Sequence, residues 1–115
     1  HGAASYVCQN NDGQIKETKS ISAGLDYPGV SPVHCFLKDS GRARYTSATD
    51  EEALEAYKIV TKFENLNPSL EPSHAFAEAI KIAPKLSSDT VIIVNSCGDA
   101  QKDRDILKKR LGNFK

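Results

Sequence analysis

The chain has 115 residues, with 15 basic against 15 acidic side chains, 39% hydrophobic residues, 7% aromatics and no Trp. That is one domain's worth of chain, able to bury a core built on Ile, Val, Leu and Ala. Zero formal charge excludes the electrostatic field that nucleic acid or an anionic membrane would require.

In chain order, Ser5-Tyr6-Val7-Cys8 and the turn Asn10-Asn11-Asp12-Gly13 read as a short hairpin. Residues 20–42 hold Gly24, Pro28, Gly29, Pro32 and Gly41. This punctuation predicts a long ordered loop with a helical turn near Pro32–Leu37, and a loop of that length is expected to serve function or be pinned by a partner. Arg44–Ala48 reads as a short strand. Thr49-Asp50-Glu51-Glu52 is a capping box opening a helix over 50–64, with Ala53, Ala56, Tyr57, Val60 and Phe63 on one stripe. Asn65-Leu66-Asn67-Pro68 breaks it. Pro72 suits the first turn of a second helix over 72–83, with Phe76, Ala79, Ile80 and Ala83 on one face. Pro84 ends that helix.

Thr90-Val91-Ile92-Ile93-Val94-Asn95 is a continuous β-branched run, the pattern of a strand buried on both faces of a parallel sheet. A basic helix over roughly 102–111 closes the chain. This order predicts an α/β fold, a small mostly parallel sheet flanked by helices, in a single partial domain over 1–115.

Cys8, Cys35 and Cys97 are odd in number and widely spaced, so they form neither a disulfide framework nor a zinc pattern. Free buried thiols in a reducing compartment, cytoplasm or organelle interior, are expected. No apolar run is long enough to span a bilayer, and no signal peptide is recognisable at the N-terminus. The absence of Met implies that His1 is not the native start.

For candidate sites, the turn Asn95-Ser96-Cys97-Gly98 lies at the carboxyl end of the buried run, the general place for a ligand in an open α/β sheet. An ordinary strand-to-helix turn is the simpler reading. Glu71 precedes a helix N-terminus, where the dipole favours a carboxylate. Asp26, between Gly24 and Pro28, suits an Asx turn. His34 and His74 read as packed or surface residues. An N-terminal His1 could chelate copper through its amine and ring, but the sequence offers nothing further toward such a site.

Several ordered motifs together resemble the C-terminal part of the tryptophan synthase β chain. They are Tyr6–Ile15, Ser20–Val30, Leu37-Lys38-Asp39-Ser40-Gly41-Arg42-Ala43, Asp50–Ala56, Leu70-Glu71, Ser73-His74-Ala75 and Val91–Asn95. The family uses pyridoxal phosphate. By position, the resemblance places Gly24 beside the cofactor ring and makes Asp26 the gating aspartate. It makes Glu71 the glutamate near the reactive centre. Tyr27 and Gly29 would offer backbone carbonyls to a monovalent cation. Cys97, followed by Gly98, takes the place of the serine that faces the pyridine nitrogen, and a thiol is a weaker hydrogen-bonding group there.

The departures from the family are as informative. Its Schiff-base lysine and its Gly-rich phosphate loop belong to a part this sequence does not contain, so the chain alone is not expected to bind the cofactor or run the reaction. The family's turn Asn-Leu-Ser-Gly-Arg-Gly-Asp-Lys-Asp is here Asn95-Ser96-Cys97-Gly98-Asp99-Ala100-Gln101-Lys102-Asp103, and Asn67 replaces an apolar residue. The resemblance therefore implies a non-catalytic, truncated tryptophan synthase β-like subunit, with protein partners covering the face left by the missing part. The alternative is a piece of a working β chain that condenses indole with serine.

Overall fold

The structure is a computed structural model that describes residues 2–112. His1, and with it the copper chelate, lies outside the described residues. The chain divides into two compact units, His1–Thr46 and Ser47–Lys115.

The first unit is mostly loop. Asn10 organises the expected turn: its side-chain oxygen accepts from the backbone N–H groups of Asp12 (3.0 Å) and Gln14 (2.8 Å). The pairing that follows is a single antiparallel bridge, Gln9 to Ile15. A second bridge joins Val7 to Gly29, flanked by Cys8 N–H donating to Pro28 (2.6 Å) and Val30 N–H donating to Tyr6 (3.4 Å). One 3-10 turn covers Ala23–Leu25. Helix α1, Pro32–Asp39, starts with Pro in its first turn and the Ser31 side chain accepting from Val33 N–H, so the expected turn extends into two full turns. The Cys35 thiol is buried and accepts from Tyr6 N–H at 3.2 Å. Tyr6 also donates its hydroxyl to Asp39 (2.6 Å), and the Lys38 ammonium lies 4.4 Å from its ring centre.

The second unit is built on a helix pair. Helix α2, Asp50–Glu64, has the full capping box: Glu52 N–H donates to the Thr49 hydroxyl (3.2 Å), and Thr49 N–H donates to the Glu52 carboxylate (2.8 Å). It ends on Asn65 in the left-handed region, φ 53°, a conformation Asn tolerates better than most residues. Helix α3, Leu70–Ile82, packs against it. A 3-10 turn, Ala83–Lys85, follows at Pro84; another, Ala100–Asp103, leads into α4, Arg104–Leu111.

The buried face of α3 differs from the expected stripe. Leu70, Pro72, Ser73 and Ala77 are buried, while Ile80 and Ala83 are exposed. The buried face is rotated toward the smaller residues because α2 also presents small ones, Ala53 and Ala56, and small faces let helices approach closely. On α2 the stripe holds at Ala53, Ala56, Tyr57 and Val60, joined by Leu54, but Phe63 is exposed.

The expected α/β fold with a parallel sheet is overturned: among the described residues there is no sheet, and the elements are helices and 3-10 turns. Residues 90–95 belong to no strand, with Val91 83% and Ile93 91% exposed. Arg44–Ala48 forms no strand either. β-Branched composition suits a pleated surface, but a strand exists only through its neighbours. A doubly buried one needs a ladder on both edges, and the only bridges among the described residues lie within 1–46. The thiols also depart from expectation, since Cys35 is buried while Cys8 and Cys97 are exposed.

Candidate functional site

The residues singled out from sequence fall into the two units. Gly24, Asp26, Tyr27 and Gly29 lie in the first; Glu71, Cys97 and Gly98 lie in the second.

In the first unit, Gly24 is the central residue of the 3-10 turn and Asp26 closes it, donating its backbone N–H to Ala23 (3.4 Å). The Asp26 side chain does not form the expected Asx turn. Its Oδ1 is shielded from solvent and has no hydrogen-bond partner among the described residues, an arrangement that is costly in isolation. Tyr27 is exposed. The Val7–Gly29 bridge draws on the carbonyls of Pro28 and Tyr6, so its ladder does not use those of Tyr27 and Gly29.

The second unit concentrates its polar contacts at the start of α3. Ser69 is the residue before the helix, but its hydroxyl caps no helical N–H. It donates instead to the Cys97 carbonyl (2.9 Å). The first helical N–H, that of Leu70, donates to Asp103 Oδ2 (2.8 Å), so a carboxylate from the turn before α4 does the capping. Asp103 is 2% exposed. Its Oδ1 accepts from the Lys102 ammonium (3.3 Å), which also contacts both Glu71 oxygens, at 2.6 and 2.7 Å. Hydrogen bonding to Glu71 raises the Lys102 pKa above the ordinary lysine value; burial opposes this and Asp103 reinforces it.

Gly98 fits this packing because it has no side chain. Its φ is +85°, and a Cβ there would stand 2.6 Å from Ser69 Oγ and 3.9 Å from Glu71 Oε2. Glu71 and the Cys97–Gly98 turn are thus brought together at one helix end. Cys97 itself is exposed, its carbonyl tied to Ser69.

Sequence reasoning missed Ser69, Lys102 and Asp103 as parts of this cluster. The available signal was the retained Lys102-Asp103 pair, which directly follows the changed residues Asp99-Ala100-Gln101. The histidines behave as expected: His34 Nδ1 meets the Tyr45 hydroxyl (2.9 Å) and His74 Nδ1 the Leu70 carbonyl (2.7 Å). Among the described residues no group of three His, Cys, Asp or Glu side chains could hold a metal ion, and no helix is long and apolar enough to cross a membrane.

Pyridoxal phosphate requires an amine to hold its aldehyde and a cradle for its phosphate. The cluster offers a thiol and a carboxylate, while its amine, Lys102, is committed to two carboxylates. These residues alone do not fit the whole cofactor.

No known family profile matches the chain. Individual relatives do. The tryptophan synthase beta chain of Bordetella petrii is 54% identical over 112 residues, which are 97% of this chain and 28% of that relative. That of Cereibacter sphaeroides is 54% identical over 97% of this chain and 27% of its own length. That of Allorhizobium ampelinum is 52% identical, with 97% and 28% covered. The chain spans little more than a quarter of the curated relatives it matches.

Proposed function

We propose that this chain, homologous to a segment of tryptophan synthase beta chains, does not catalyse by itself and acts as a binding or structural subunit of a larger assembly. The observation that carries this reading is the engagement of Lys102. Schiff-base chemistry needs a neutral amine, and the amine at this cluster is ion-paired to Glu71 and Asp103 with its pKa raised. The exposed Val91 and Ile93 agree with this reading, because such apolar residues are expected to be covered by protein, whether another subunit or the rest of a β chain. Gly24, Asp26, Tyr27 and Gly29 in the first unit, and Glu71, Cys97 and Gly98 in the second, are then each remnants of chemistry completed elsewhere. The test is a titration of the purified 115-residue chain with pyridoxal phosphate, followed by absorbance. The expected result is no Schiff-base band that saturates at one equivalent; a stoichiometric band overturns the proposal.

A second reading, a piece of a working β chain, is favoured by one observation: the Cys97–Gly98 turn stays packed on Ser69 beside Glu71, where no larger residue fits. It predicts that this chain, mixed with a tryptophan synthase beta chain lacking the matching segment, restores condensation of indole with serine. Tryptophan formation above that of either part alone favours the second reading over the first.

A further inference from the structure

We infer that Lys102 and Asp103 are positioning residues for Glu71, a locked pair that fixes its carboxylate at the start of α3. The inference goes beyond both readings above, since it concerns how Glu71 is held rather than whether the chain catalyses.

Asp103 is the anchor. It is nearly fully buried and both of its oxygens are used, one by the Leu70 N–H of α3 and one by the Lys102 ammonium. A buried carboxylate without partners would be strongly destabilising, so its geometry is tightly determined. Because Ser69 turns its hydroxyl to the Cys97 carbonyl, the helix end depends on Asp103 for its first N–H. The two choices are linked: the Ser69 bond pins the 97–98 turn to the helix start, and the Asp103 bond pins the 102–103 end of the same segment there.

Lys102 follows from the anchor. An ammonium on four methylenes has much rotamer freedom to lose. Here its neighbour Asp103 is fixed and its own charge is shared between Asp103 and Glu71. Both Glu71 oxygens then face one ammonium at hydrogen-bond distance, and the carboxylate has little freedom to turn. Glu71 is held as an oriented charge at the helix end, where the dipole also favours an anion. Any group recognised by Glu71 meets a carboxylate placed in advance rather than one that must be ordered on binding.

The test uses the 115-residue chain without cofactor, labelled with ¹⁵N in its lysines and ¹³C in its glutamate carboxyls, with Glu71 assigned through Glu71→Gln. A slow-exchanging Lys102 ammonium signal is expected in the parent chain. In Glu71→Gln its exchange is expected to speed up by about tenfold, the ratio that corresponds to roughly 1.4 kcal/mol. Lys102→Met is expected to move the Glu71 carboxyl signal, and Lys102→Arg to restore most of its position. A merely structural role would change the unfolding midpoint without this signature and its rescue. An unmoved Glu71 signal in Lys102→Met, or a Lys102 ammonium that exchanges like the exposed lysines in the parent chain, overturns the inference. The partly exposed Lys102 makes Lys102→Met the variant that keeps the fold if Asp103 variants do not. A stoichiometric cofactor band would sink the functional proposal while leaving this result untouched.

Discussion

The unit over 1–46 is held by single side chains reaching backbone or one another, whereas the unit over 47–112 is held by a helix pair with small, fully buried faces. Tyr6 illustrates the first: backbone to Cys35, hydroxyl to Asp39, ring under Lys38, and the residue itself still exposed. Leu70 illustrates the second: 0% exposed, its N–H capped by Asp103. The difference teaches where stability and site geometry reside. Burial accumulates at the α2–α3 contact, and the polar cluster is built where that burial makes positions firm.

Core truncation should separate the units most sharply. Leu70→Ala is expected to cost about 3 kcal/mol, within the usual range for a buried leucine. Cys35→Ala in the first unit is expected to cost only about 1 kcal/mol, since it removes one small group and the weak hydrogen bond that its sulfur accepts from Tyr6 N–H. Urea unfolding of each variant followed by circular dichroism measures both. Equal losses would mean that the two units draw on burial alike.

Glycine substitution comes next. Gly98→Ala combines a positive φ with a Cβ at 2.6 Å from Ser69 Oγ, so a loss of about 2 kcal/mol or more is expected. Gly41→Ala, at φ +69° with nothing within 4 Å, should cost only the backbone term, about 1 kcal/mol. If both cost the same, the packing of Ser69 against the turn is not what holds Gly98 in place. A smaller effect is expected at the capping box: Thr49→Ala should lower stability by about 1 kcal/mol, read from the same unfolding curves.

The parts legible in the sequence are those fixed locally. The α2 start follows from Thr49 and Glu52 three residues apart, and its end from Asn65 before Pro68; α1 and α3 follow from Pro32 and Pro72 in first turns. The strand expected over 90–95 does not form, because composition records what a residue prefers, whereas pairing depends on segments far away in sequence. The buried face of α3 differs from its large apolar stripe because close packing against α2 selects Ser73 and Ala77. At the site, Glu71 and Gly98 could be named, but Asp103 capping Leu70 obeys no spacing rule. The two are 33 residues apart, and only the folded chain brings them together.

Acidity should act on the two units from opposite ends. Hydrogen bonding to Lys81, and then to the Thr49 backbone, lowers the Glu52 pKa. A depressed folded pKa gives stability that is present above the unfolded value and lost as pH falls through the folded one. The α2–α3 unit should therefore weaken below the ordinary glutamate range, and Glu52→Gln should flatten that limb of the curve. In the first unit the hydrogen bond to Asp39 raises the Tyr6 pKa. A raised folded pKa gives stability present below the unfolded value and lost as pH climbs through the folded one. The Tyr6 phenol should therefore ionise above the ordinary tyrosine value in an absorbance titration, and Asp39→Asn should abolish the delay. Both side chains reach solvent, so screening is expected to keep both effects small. A Tyr6 that ionises at the ordinary tyrosine value would mean that its bond to Asp39 does not hold the loop-rich unit, leaving the backbone bridges and Cys35 to do so.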